Sequence, residues 1–94
     1  METSESKSTR QLAEIRHWVE ERKGKPARIR KEGQKRGEGV LRIDFPGYTS
    51  LDDLEMISWG EWYDIFMKKH LAFLYQEKTK EGGESRFFKL VAVE

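Results

Sequence analysis

The sequence predicts an α+β domain in which a mainly antiparallel sheet of about four or five strands carries two helices on one face. Three observations predict it. Two segments space their apolar residues at i, i+3, i+4 and i+7 behind helix-start signals. Shorter runs between them are rich in Ile, Leu, Val and aromatic residues and are separated by glycine-bearing turns, as strands are. The chain has 94 residues and only 36 % hydrophobic ones, enough for one domain with a modest core and no more.

The elements follow in chain order. Residues 1–8 carry no apolar anchor and are expected to form a disordered tail, leaving 9–94 as the single domain. Ser8-Thr9-Arg10-Gln11 has the form of a capping box, and Leu12, Ile15, Trp18 and Val19 make one buried stripe, which places a helix over 9–22. Gly24 suits the left-handed position after that helix, and Pro26 prevents its continuation. Pro26 to Lys31 alternates Ala27 and Ile29 with Arg28 and Arg30, as a half-solvated strand does. Glu32 to Gly39 contains three glycines and reads as an exposed loop leading into a return strand, Val40 to Phe45, with Leu41, Ile43 and Phe45 facing the core. Phe45-Pro46-Gly47-Tyr48 matches a type II turn, in which proline presets one torsion and glycine accepts the positive φ of the next. A brief strand is expected around Leu54 to Ile57.

Ser58-Trp59-Gly60-Glu61 is a second capping box, and Ile57 and Trp62 stand at the two positions of a hydrophobic staple. The helix that follows buries Trp59, Trp62, Tyr63 and Phe66 and ends near His70. Leu71 to Lys78 and Arg86 to Val93 then form a hairpin.

The net charge of +1 conceals a segregation. Between Arg22 and Arg36 eight basic residues face one acid, a local balance of +7, whereas Asp44 to Asp64 holds six acids and no base. Within the basic segment Arg28, Arg30, Lys31, Lys35 and Arg36 are the candidate anion-binding or nucleic-acid-binding residues, because cations around a glycine-rich loop neutralise phosphates without ordering much chain. Phe73, Tyr75, Phe87 and Phe88 lie on strands, where aromatics either stack on bases or fill the core; the shortage of apolar residues favours the core.

Catalytic signals are missing. His17 and His70 have no companion at metal-ligand spacing, and there is no cysteine, so neither a metal nor any other cofactor is expected. The carboxylate pairs Asp52 with Asp53 and Glu61 with Asp64 fall in a polar turn and on a helix flank, away from any pocket that would tune them for proton transfer. None of the glycine-rich phosphate loops or nucleophile elbows occurs. No apolar run approaches the roughly 18 residues of a membrane span, the beginning is polar, and the absence of cysteine suits a reducing compartment, so a cytoplasmic location without a membrane partner is expected.

The segments Trp18-x-Glu-Glu-Arg-x-Gly24-x-Pro26-Ala27, Leu41-Arg-Ile-Asp-Phe-Pro-Gly-Tyr48, Ile57-Ser-Trp-x-x-Trp62, Leu71-Ala-Phe-Leu-Tyr-Gln-Glu77 and Ser85-x-Phe-x-Lys-Leu-Val91 resemble a family of small uncharacterised bacterial proteins of similar length. Some of its members are labelled 1,4-α-glucan branching enzyme. The usual branching enzyme needs a (β/α)₈ barrel of several hundred residues, for which 94 leave no room, and the resemblance brings no catalytic residue with it. Gly60 and the basic loop from Lys31 to Gly39 depart from the family pattern. The resulting expectation is a non-catalytic interaction module, with a protein partner preferred. A sequence-independent nucleic-acid binder is the alternative, and a glucan-related accessory domain or small enzyme the further one.

Overall fold

A computed structural model describes residues 6–29, 39–47, 54–78 and 82–93. Among them the chain forms strands β1 (Ser6–Thr9), β2 (Lys25–Ile29), β3 (Val40–Asp44), β4 (Leu54–Met56), β5 (Leu71–Gln76) and β6 (Phe88–Ala92), with helices α1 (Leu12–Glu21) and α2 (Trp59–Lys68). The α+β class is as expected, but the single sheet of four or five strands is replaced by two antiparallel sheets of three, ordered β3-β2-β4 and β1-β5-β6. The division arises because each hairpin recruits a different third strand. β4 joins the free side of β2, and the N-terminal strand joins the free side of β5.

That last pairing corrects the reading of residues 1–8 as a disordered tail for Ser6, Lys7 and Ser8; residues 1–5 lie outside the described residues. Ser6, Lys7, Ser8 and Thr9 lie opposite Gln76, Tyr75, Leu74 and Phe73, and Lys7 forms a 3.3 Å ion pair with Glu77. Only Thr9 of the four is buried, so the strand is held by its backbone ladder and not by an apolar face. Ser8 is not the helix cap either, since the helix starts three residues later than its capping box requires. α1 starts at Leu12 behind Gln11, which makes no side-chain cap bond, and the hydroxyl of Thr9 accepts from the Gln11 amide at 3.1 Å and donates to the carboxylate of Glu14. Ile15, Trp18 and Val19 are buried along the expected stripe.

At the end of α1 the left-handed residue is Lys23, at φ 60°, rather than Gly24. Gly24 is required for space. A Cβ there would lie 2.9 Å from Ile43 Cγ2, Phe45 Cε1 and Val19 Cγ1, closer than side-chain carbons approach one another. Gly24→Ala is therefore expected to lower stability by about 2 kcal/mol through overpacking, read as a shift of the urea midpoint at unchanged slope.

β2 is not the half-solvated strand its alternation suggested. With neighbours on both sides it is the central strand of its sheet, and Ala27 and Arg28 are both buried. On β3 and just beyond it, Leu41, Ile43 and Phe45 are buried as expected, and Gly47 takes φ 87° in the turn that follows. α2 begins where the capping signal places it: the Ser58 hydroxyl accepts from the Glu61 amide at 3.0 Å. It ends at Lys68, and His70 turns the chain into β5 at φ 55°.

The core is a single cluster shared by both sheets and both helices. At its centre Trp18 meets Phe45, Phe73, Tyr75 and Phe88 at ring separations of 6.0, 5.4, 5.8 and 6.3 Å, while Trp62 stacks on Phe66 at 5.3 Å. Edge-to-face and offset contacts of this kind add to what area burial alone supplies. Both indole N–H groups are satisfied, Trp18 donating to the Gln76 carbonyl and Trp62 to that of Arg42. Two edges of this framework, β3 in one sheet and β6 in the other, border the site described next.

Candidate functional site

Of the five candidate residues in the basic segment the structure describes one, Arg28, and it is interior. Arg28 is 2 % exposed; its Nε donates to Glu55 Oε1 at 2.8 Å and its Nη1 lies 3.4 Å from Glu61 Oε2. This guanidinium joins β2 to β4 and to the first turn of α2, so its charge is spent inside the fold and is not offered to an external anion. Arg30, Lys31, Lys35 and Arg36 lie outside the described residues. So do Asp52 and Asp53 of the first carboxylate pair. Glu61 of the second pair is engaged with Arg28, and Asp64 is exposed on α2.

The histidines are separated. His17 Nε2 lies 3.2 Å from Glu21 on the outer face of α1, His70 occupies the turn after α2, and no group of three potential ligands suited to a metal occurs among the described residues. Of the strand aromatics, Phe73 and Tyr75 are buried and Phe88 packs against the core, whereas Phe87 is 45 % exposed, against the expectation that all four fill the interior. Burial, with the carboxylates of Glu14 and Glu77 nearby, pushes the Tyr75 phenol above its ordinary pKa, so the group stays protonated and neutral in the core.

What the fold does bring together is a groove of about 510 Å³ between β3 and β6, to which the turn after α2 contributes Lys69. Val40, Leu41, Leu71, Phe88 and Leu90 supply an apolar floor, and Arg42, Lys69 and Lys89 line it with three cations. Alternation along the strands accounts for this mixture. On β3, Leu41 turns to the core while Val40 and Arg42 are exposed; on β6, Phe88 and Leu90 pack inward and Lys89 faces solvent. Lys69 Nζ donates to the Gly39 carbonyl at 2.8 Å and Arg42 Nη1 to the Leu41 carbonyl at 3.2 Å, which fixes both head groups at the β3 side. An ammonium has three donors and a guanidinium five, so donors remain for an anion in the groove.

Sequence reasoning missed all three cations. They stand 27 and 20 residues apart, and none lies in the basic segment between Arg22 and Arg36. The one local signal was Lys89 between Phe88 and Leu90, a solvent-facing cation on an otherwise apolar strand. Compared with known proteins, the chain matches no family model, no curated protein and no solved structure. Among the described residues no helix is long and apolar enough to cross a membrane.

Proposed function

We propose that this chain is a non-catalytic interaction module whose binding surface is the groove between β3 and β6, and that its ligand carries carboxylates beside apolar groups. The carrying observation is the lining itself: Arg42, Lys69 and Lys89 around a floor of Val40, Leu71, Phe88 and Leu90. Apolar contact supplies the attraction, and the cations choose which apolar groups are admitted. A purely apolar ligand leaves the remaining donors of the cations unused. A purely anionic one leaves the floor wet.

Octanoate is the minimal probe, with one carboxylate and one apolar tail. Titrated into ¹⁵N-labelled protein, it is expected to shift the amides of residues 40–42, 69, 71 and 88–90 with a dissociation constant on the order of millimolar, the range set by ligand efficiency for so small a molecule. Lys89→Glu is expected to weaken it by about tenfold, and octanol, without the charge, to bind less well than octanoate. Shifts confined to other surfaces would remove the groove as the site, and equal binding of octanoate and octanol would remove the selection assigned to the cations.

A further inference from the structure

We infer that the ligand is an extended acidic peptide that adds to the sheet β1-β5-β6 as a further strand along β6. The inference rests on the groove reading above and specifies what occupies it.

Among the described residues β6 is an edge strand, and its ladder shows which of its backbone groups face away from β5. Phe87 accepts from the Gln76 amide at 3.3 Å and the Val93 amide donates to His70 at 2.7 Å, with Tyr75, Phe73 and Leu71 standing opposite Phe88, Leu90 and Ala92. In an antiparallel ladder the bonded positions alternate. Lys89 and Val91, with the Phe87 carbonyl and the Val93 amide, therefore turn to β5, and Phe88, Leu90 and Ala92 turn their N–H and C=O groups outward. Phe88 and Leu90 line the groove, so donors and acceptors at strand spacing run along its wall. The facing edge is different. On the β3 side the carbonyls of Gly39 and Leu41 already accept from Lys69 and Arg42. Among the described residues β6 is the one of these two edges with no side chain bonded to its outward groups, which is the arrangement strand addition uses.

Charge selects the occupant. A second copy paired through β6 would bring two sets of Arg42, Lys69 and Lys89 together, and a lysine on an edge strand is a common guard against such self-pairing. A peptide that alternates apolar residues with Asp or Glu turns its apolar side chains to the floor and its carboxylates to the cations, since alternate residues of a strand face opposite sides. Single-stranded nucleic acid also offers anions, but its backbone has no amides to match Phe88, Leu90 and Ala92.

The test uses the whole chain and the peptide acetyl-Val-Glu-Val-Asp-Val-Glu-amide. Bound peptide is expected to slow hydrogen exchange of the Phe88, Leu90 and Ala92 amides by at least about tenfold. Two analogues, N-methylated at the odd or at the even residues, separate the peptide edge that pairs from the one that does not. One analogue should lose at least about tenfold in affinity and the other little. Ala92→Pro removes an outward N–H without breaking a β5–β6 bond, so it should keep the thermal midpoint, keep octanoate binding and weaken the peptide. If octanoate shifts the groove while both methylated analogues bind as well as the parent and the three amides gain no protection, strand addition is overturned and the groove reading stands. If neither octanoate nor the peptide shifts the groove, the groove reading itself falls. An oligothymidylate that displaces the bound peptide and shifts the same amides more strongly would assign the edge to nucleic acid and overturn the peptide.

Discussion

Trp18→Ala is expected to lower stability by about 4 kcal/mol, within the range that emptying an aromatic core site costs. Trp18 is 2 % exposed, and its ring is the meeting point of α1, the end of β3 and the sheet β1-β5-β6, in contact with Phe45, Phe73, Tyr75 and Phe88. Truncation removes the transfer free energy of the indole and also leaves a cavity walled by four aromatic rings, which are too rigid to collapse into it. The Gln76 carbonyl loses its indole donor as well. Against the roughly 5–15 kcal/mol that holds a typical domain together, such a loss shifts the thermal midpoint by about 15 °C or more. Thermal unfolding followed by far-ultraviolet circular dichroism is sufficient. A midpoint within a few degrees of the parent would show that the two sheets do not share this core, while Trp18→Phe should recover most of the loss.

The second large effect is expected at Arg22, where substitution by Met should cost about 3 kcal/mol although chain volume is nearly kept. Its side chain is almost wholly buried, with the guanidinium lying 4.3 Å from the Trp18 ring centroid. Nε donates to the Ser85 carbonyl, Nη1 to Trp18 at 2.9 Å and Nη2 to Glu77 at 2.8 Å. One planar fork thus ties the end of α1 to both ends of the connection between β5 and β6. Met offers no donor, so three carbonyls lose the guanidinium, and of these the Glu77 carbonyl keeps the Ser85 amide at 3.3 Å. Arg22→Lys should recover little, because an ammonium on a flexible stem cannot reproduce the fork. Urea midpoints of the three proteins order the effects. Near-equal midpoints for Arg22 and Lys would mean that charge, and not the fixed geometry, holds the connection.

Legibility in the sequence followed the range of the interaction. The Ser58 cap, the Pro46-Gly47 turn and the inward faces of Leu41, Ile43 and Phe45 depend on residues at most a few positions apart, and each stands where the local pattern placed it. β1 was invisible because a strand held by backbone bonds alone leaves no hydrophobic period; Ser6 to Ser8 are all exposed. The alternation of β2 was misleading for a related reason. A side chain's polarity says nothing about whether carboxylates such as Glu55 and Glu61 will be folded over it. Arg22 and Arg28 both stood in the basic run, yet both are interior residues. The groove was out of reach altogether, since it exists only where edges of two sheets meet.

The pairing of Ser6–Thr9 with β5 also imposes an order of events during synthesis. β2, β3 and β4 can close on one another once residue 56 has left the ribosome, because all three lie within one stretch of chain. β1, made first, has no partner until Phe73 to Gln76 emerge more than sixty residues later. At bacterial or eukaryotic elongation rates of roughly 5–20 residues per second, it waits some seconds as an unpaired extended segment. Its sequence, serine and lysine with no run of apolar residues, is of a kind that can wait without recruiting another nascent chain.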